Sequence, residues 1–412
     1  MTVAETERMP PRLGLRENLG QFSLLVLVNA FVGGMVGLER TVVPLMGTEE
    51  FKIAATSIIT AFVASFGVAK ALTNLASGPL ADTFGRKGVL VAGWLLALPV
   101  PFLIMWAPSW NWIIAANVLL GVSQGLTWSM AVIMKIDLVG PKSRGLAIGL
   151  NECSGYVMVG ATAFLTGWLA AETGVLRPEP IYPGVAYAAL GIGLSVLLVK
   201  DTSAHIRCEV DADRDAVPVT FHEVFLRTSF RDRNLLAASQ AGLVNNLNDG
   251  LSWAIFPIFF AARGLSVESI GLLKAVYPAT WGVLQVFTGP VSDRIGRKGL
   301  IASGMWLQAL ALFVIAGSDE LQAWLAASLV LGLGTAMVYP ALLAVVSDTA
   351  HPLWRARALS VYRFWRDLGY TVGALAAGVL SQAIGMAGAI AGIGLLTAVS
   401  GFAVALLMHE KD

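Results

Sequence analysis

Ionisable side chains interrupt a chain that is otherwise strongly apolar, and their types define the chemistry open to it. Glu39, Glu152, Asp249 and Asp367 are carboxylates and Arg40, Lys70, Lys135, Lys274, Arg363 and Arg366 are cations, each set within mostly hydrophobic sequence. A charge placed in hydrocarbon costs roughly 3 kcal/mol or more unless it is paired or faces water. A carboxylate in a low-dielectric cavity can bind and release protons in the working pH range. A guanidinium can hold a carboxylate or phosphate through parallel hydrogen bonds. The run Asn245-Asn246-Leu247-Asn248-Asp249-Gly250 gathers polar groups that could contact a solute or a proton, or simply hydrogen-bond between helices. Tyr362-Arg363-Phe364-Trp365-Arg366-Asp367-Leu368-Gly369-Tyr370 mixes charge with aromatic faces, a combination suited to a flat or amphipathic anion. Other chemistries find little support. There is no G-x-x-x-x-G-K-[ST] phosphate loop. His205, His222, His351 and His409 fall in expected loops or the tail, so no intramembrane proton relay or metal cage is expected from them.

The elements that must carry these residues follow from composition. The chain has 412 residues, 56% hydrophobic and only 13% charged, with a mean hydropathy of +0.71. That is more apolar surface than one soluble core can hide. Apolar windows of about 20 residues, each enough to cross a roughly 30 Å hydrocarbon layer, recur from Phe22 to Leu407. Twelve are expected, from 22–44 and 52–79 through a seventh at 235–261 to 357–383 and 385–408. The runs are continuous rather than alternating, so helices are expected and not a β-barrel. Lys and Arg crowd the segments on one side, while the opposite loops carry Lys52, Arg177 and Arg263. This asymmetry predicts both termini on the cytoplasmic side of an inner membrane. The expected domains are a cytoplasmic tail at 1–20, a six-helix bundle at 21–199, a charged cytoplasmic linker at 200–234, a second six-helix bundle at 235–408 and a cytoplasmic tail at 409–412. Residues 1–20 lack the features of a cleaved signal, and Cys153 and Cys208 are not expected to form a disulfide.

The halves repeat one another. Gly78-Pro79-Leu80-Ala81-Asp82-Thr83-Phe84-Gly85-Arg86-Lys87 recurs as Gly289-Pro290-Val291-Ser292-Asp293-Arg294-Ile295-Gly296-Arg297-Lys298. The offset that carries Asp82 onto Asp293, 211 positions, also carries Asp137, Pro141 and Arg144 onto Asp348, Pro352 and Arg355. Two separate blocks sharing one offset mark a duplication. The block G-P-x-x-D-x-x-G-R-K after the second and eighth spans resembles the loop signature of the major facilitator superfamily of secondary carriers. With D-x-x-x-P-x-x-R after the fourth and tenth spans and the long central loop, the resemblance covers nearly the whole chain.

That resemblance implies an all-α membrane fold of two pseudo-symmetric six-helix bundles that rock about a central site. Gly78, Asp82, Gly85, Arg86, Lys87, Asp137 and Arg144, with Gly289, Asp293, Gly296, Arg297, Lys298, Asp348 and Arg355, would form a latch that closes the cytoplasmic side. Plain positive-inside anchoring would account for the bases but not for Asp82 and Asp293. Family geometry places the second and eleventh helices side by side. Lys70 and Asp367, at equal depth, are then expected to pair, either as a state-dependent gate or as a permanent brace. The first and seventh helices line the pore by the same analogy. Adjacent residues on a helix point about 100° apart, so one of Glu39 and Arg40 would bind or couple while the other braces, unless both lie at the outer mouth. Arg363 aligns with Glu152 by the repeat, and Arg363 and Arg366 could serve substrate or the inner gate. Lys135 is expected to snorkel to the cytoplasmic surface.

The expected function is secondary active transport of a small polar organic solute, anionic and zwitterionic forms included, by alternating access and coupled to protons. Candidate substrate and coupling residues are Glu39, Arg40, Glu152, Asn245, Asn248, Asp249, Lys274, Arg363 and Arg366, with Lys70 and Asp367 in the gate. No cofactor or metal, no enzymatic activity and no nucleic acid are expected. The partners are the solute, protons and the bilayer, and the protein is expected to be a monomer. A proton-coupled drug exporter is the alternative. It is weakened by Gly121-Val122-Ser123-Gln124-Gly125, where such antiporters usually begin with Arg, and by the lack of their Gly-Pro signature in Gly155-Tyr156-Val157-Met158-Val159-Gly160-Ala161. A receptor or scaffold of transporter-like fold that moves nothing is the alternative of another class.

Overall fold

The computed structural model describes residues 13–140, 144–203, 205 and 219–410, and of Arg144, Asp293, Pro352 and Leu353 it describes the backbone alone. The expected latch roles of the Arg144 and Asp293 side chains, the first residues of the tail, most of the linker and Cys208 lie outside the described residues. The helices of the N-terminal half are α1 (Leu19–Glu49), α2 (Thr56–Phe84), α3 (Arg86–Met105), α4 (Trp110–Val139), α5 (Arg144–Thr173) and α6 (Tyr182–Leu197). After a short helix at Phe221–Leu226 come α7 (Arg233–Ala254, continued by Phe256–Ala261), α8 (Val267–Ile295), α9 (Arg297–Gly317) and α10 (Leu321–Thr349). The last helical stretch, Pro352–Leu407, is broken by non-helical backbone at Gly385 (φ 76°, ψ 164°), giving α11 before it and α12 after it.

Ten of these stretches are long and apolar enough to cross a membrane. The difference from the twelve expected has two physical sources. The stretch ending at Leu407 holds two spans joined at one glycine, with no loop between them. The polar residues of α7 make it too hydrophilic to register as a span on composition. The distribution of polarity inverts that of a soluble protein. Leu406 and Leu197 are 79% and 78% exposed on the outer surface, whereas Asp249 and Glu39 are 1% and 0% exposed within. An apolar exterior is the surface that lipid requires, and helices satisfy every backbone group internally.

In the N-terminal half α2 packs on α4, α1 on α5, and α3 on α4 and α6; in the C-terminal half α7 packs on α11 and α12, and α9 on α10 and α12. The halves meet along α5 against α8 and α2 against α11. The motif end of the molecule carries the two repeated loops and the start of α1 and end of α12, for Gln21 reaches the Leu198 carbonyl and Asn234 reaches that of His409. There α2 and α8 stop at Gly85 and Gly296, whose φ of 75° and 91° suits a residue without Cβ.

The seam between the halves is closed toward the far end. A Cβ added at Gly67, Gly160, Gly167 or Gly378 would lie 2.5–2.9 Å from Thr371, Ala275, Gly271 or Thr60 of the opposite half. Toward the motif end the helices part: a Cβ at Gly78 or Gly149 would meet nothing within 4 Å. Small residues thus let backbones touch on one side of the membrane plane.

Candidate functional site

Two clusters of buried charge occupy the seam, and proline helps to place the first. Pro44 lies four residues after Arg40 in α1, and Pro257 lies four after Trp253 in α7. Each proline lacks the N–H that would bond the carbonyl four residues earlier, so both helices are loosened where they pass the centre. Arg40 of α1 forms a bidentate ion pair with Asp249 of α7, its Nη2 lying 2.9 Å from Oδ2 and its Nη1 bonding Oδ1. Tyr370 of α11 donates to the same Oδ2 at 2.9 Å, and the guanidinium lies 4.7 Å from the centre of the Trp253 ring. Both partners are 1% exposed. Paired so, two charges can stay buried that singly would be expelled.

Glu39 turns the other way, as its position next to Arg40 on the helix requires. One carboxylate oxygen accepts from Asn117 of α4 at 2.7 Å, and the other has no partner among the described residues. Lys274 of α8 donates to the Ser252 carbonyl at 2.7 Å and to its hydroxyl at 2.6 Å.

The second cluster lies about a helical turn nearer the motif end, where α2, α5, α8 and α11 converge. Asp367 of α11 accepts from Arg366 at 2.9 Å and from Asn74 of α2, and lies 3.9 Å from the Lys70 ammonium. Ser129 of α4 fixes Asn74 from behind at 3.0 Å. Arg366 spans the seam, bonding Tyr156 of α5 at 2.8 Å above the Tyr339 ring of α10. Tyr156 in turn stacks on Trp281 of α8 with ring centres 3.5 Å apart. Lys70 is ringed by Phe66, Trp128 and Tyr370, 5.4–5.7 Å from their centres. Glu152 accepts from Trp128 at 2.9 Å and from Asn151 at 3.1 Å.

Some expected residues fall elsewhere. Asn245 and Asn248 lie on a face of α7 turned away from the seam. Gln308 of α9 bridges them at 2.9 Å on each side, and Thr397 of α12 bonds Asn248 at 2.8 Å. They brace the C-terminal half, while Asp249, one residue on, faces Arg40. Lys135 does not snorkel: it is fully buried and donates to the Leu25 carbonyl at 2.9 Å. Arg363 is half-buried on α11. Asn74, Asn117, Tyr156, Trp281 and Tyr370 take part without having been singled out as site residues. Only Tyr370 stood in a segment quoted for its chemistry, and single aromatics or amides in an apolar span carry no sequence signal of their own.

At the motif end each repeated loop pairs within its own half. Arg86 lies 3.2 Å from Asp82 and 3.5 Å from Asp137, and Arg297 pairs with Asp348. The Lys87 ammonium bonds the Val196 carbonyl at the end of α6 at 2.8 Å. Asp201 takes the Lys87 amide at 2.9 Å, and Glu410 takes the Lys298 amide at 3.0 Å, so an acid caps the helix that follows each loop. Partial burial pushes the Asp201 carboxyl up. Its hydrogen bonds from Ser203 and from the Lys87 amide outweigh this and hold it below the usual carboxylate range.

A duplicated helical array with paired charges on its seam is matched by the family model of the Major Facilitator Superfamily, once over residues 23–241 and again over 238–412. The chain belongs to this superfamily. Among relatives of this superfamily member, an uncharacterized MFS-type transporter of Salmonella typhimurium is 24% identical over 371 residues, 85% of this chain and 87% of the other. Tetracycline resistance protein, class C, of Escherichia coli is 25% identical over 334 residues (79% and 81%). A probable 4-methylmuconolactone transporter of Cupriavidus pinatubonensis is 25% identical over 335 residues (78% and 74%). The crystal structure of the nucleoside transporter NupG shares the fold, with a TM-score of 0.73 at 12% identity over 95% of this chain and 100% of that one. Family and fold are those of multi-pass membrane transporters of small molecules, not of enzymes.

Proposed function

We propose that this transporter moves a small polar organic solute across the cytoplasmic membrane by alternating access, drawing on a proton gradient, with the motif end and both termini in the cytoplasm. The observation that carries the reading is the Arg40–Asp249 pair together with the Lys70–Asp367–Arg366 cluster, both of which tie one half to the other at mid-depth. Ionic contacts across a seam that must open are contacts a solute or proton can exchange with. The touching far end and the parted motif end fit a form open toward the cytoplasm. In the opposite form the loops around Asp82, Arg86 and Arg297 would close the motif end.

Among the carboxylates, Glu39 is the best placed to carry the proton. It is buried, has one amide partner and, among the described residues, no ion pair, whereas Asp249 is held by Arg40 and Tyr370. A buried carboxyl without a counter-charge is readily kept neutral by a proton. Asp249 then serves as the switch that holds or frees Arg40. Export of drugs is a second reading, favoured by the aromatic lining of the seam and by the likeness to the tetracycline resistance protein. The test is counterflow into proteoliposomes of pooled metabolites and drugs, with and without a pH gradient. Saturable flux that the gradient drives uphill is expected. Absence of flux for every pool in protein that is folded and inserted would refute the carrier reading in favour of a scaffold, and flux confined to drugs would favour the exporter.

A further inference from the structure

The two cations of the second charge cluster have hydrogen-bond donors to spare. Lys70 and Arg366 are 6% and 4% exposed, and both converge on the single carboxylate of Asp367. Neither cation is fully used. Among the described residues the Lys70 ammonium has an ion pair at 3.9 Å and three ring faces, but no hydrogen-bond acceptor. The Arg366 Nε is buried without a partner. A buried ammonium normally satisfies its donors. The other nearby carboxylate, Glu152, accepts from Trp128 and Asn151 through Oε1, its Oε2 is buried without a partner among the described residues, and it bonds neither cation. Flat rings stand beside them: Tyr156 lies on Trp281, whose indole N–H is buried with no acceptor among the described residues.

We propose that Lys70 and Arg366 form the anion subsite of the transported solute, and that the solute is a ring-containing monocarboxylate whose carboxylate sits between them and whose ring lies against Tyr156 and Trp281. The inference rests on the carrier reading for its purpose, but binding alone decides it. A monoanion gives the Lys70 ammonium and the Arg366 Nε the acceptor oxygens that Asp367 alone does not supply. Asp367 serves as resident counter-ion, holding both cations at the seam when the solute is away. A neutral or cationic ring compound brings no carboxylate oxygen to those donors.

The test measures binding by heat denaturation of the purified protein in detergent. The probes are benzoate, 4-hydroxybenzoate, cinnamate and indole-3-acetate, each beside its primary amide. The carboxylates are expected to raise the denaturation midpoint and the amides to leave it unchanged. Lys70→Gln and Arg366→Lys, the latter keeping its charge so that the fold is retained, are each expected to weaken carboxylate binding about tenfold or more. Lys70→Arg should restore part of that loss. Equal response to acid and amide, no response to any acid, or unchanged affinity in both variants would overturn the proposal. Counterflow with the same compounds separates the two readings: binding without flux removes the carrier and keeps the subsite, whereas flux of neutral solutes without carboxylate binding keeps the carrier and removes the subsite.

Discussion

Neutralising Asp249 should cost more than any exposed change, and the structure sets the scale. In Asp249→Asn the Arg40 guanidinium loses the carboxylate that takes both of its Nη groups, and keeps the Trp253 ring 4.7 Å away in a site 1% exposed. Stranding one member of a buried pair costs about 3–5 kcal/mol. Arg40→Gln should cost a similar amount, because Asp249 would be left with Tyr370 alone. The double variant, in which neither charge remains and two amides can bond each other, should recover about 2–3 kcal/mol relative to the sum of the singles. Denaturant unfolding of the purified protein in mixed micelles measures all four corners of this cycle. Tyr370→Phe, which removes one hydrogen bond, should cost only about 1 kcal/mol and sets the lower mark. If either single variant falls within about 1 kcal/mol of the parent, or the double equals the sum of the singles, the pair is not the tie between halves described above.

Other outcomes follow from the same geometry. Glu39→Gln should retain counterflow while losing accumulation driven by a pH gradient, and equal accumulation in parent and variant would remove Glu39 from coupling. Gly378→Ala, whose Cβ would fall 2.5 Å from the Thr60 hydroxyl, should weaken far-end closure and raise labelling of a cysteine introduced at Ser57, whereas Gly78→Ala, with open space around it, should change neither labelling nor stability. Asp201→Asn should cost a few tenths of a kcal/mol near neutrality, since the site is largely exposed and screened. Because the folded carboxyl titrates below its unfolded value, that advantage is present above about pH 4 and should fade as pH drops through the lower folded value. Chemical denaturation of both proteins from pH 3 to 7 reads it.

The span pattern, the duplication and the charge-bearing helices were legible in the sequence because lipid imposes a length and a polarity on each segment. Equal depth along α2 and α11, helices that the family resemblance implies to be neighbours, brought Lys70 and Asp367 together, and the structure places them 3.9 Å apart. Azimuth was not legible. Each residue turns a helix by about 100°, and an uncertainty of a few residues in where a span begins scrambles which neighbour a side chain meets. Asn245 and Asn248 therefore read as site residues but point at Gln308, and Lys135 read as reaching water but caps a carbonyl of α1. The Tyr156–Trp281 stack was invisible for another reason. An aromatic residue is apolar to a hydropathy scale, and only the meeting of α5 with α8 makes those two rings a wall.

The central claim, that the far end must part for transport to occur, is tested most directly by tethering it. Gln382 donates to Ser57 at 3.0 Å across the seam at that end, so Ser57→Cys with Gln382→Cys, in a background with Cys153 and Cys208 replaced by serine, can be joined by oxidation. The account predicts that flux in proteoliposomes stops on oxidation and returns on reduction. Full-rate flux through the joined protein would contradict it.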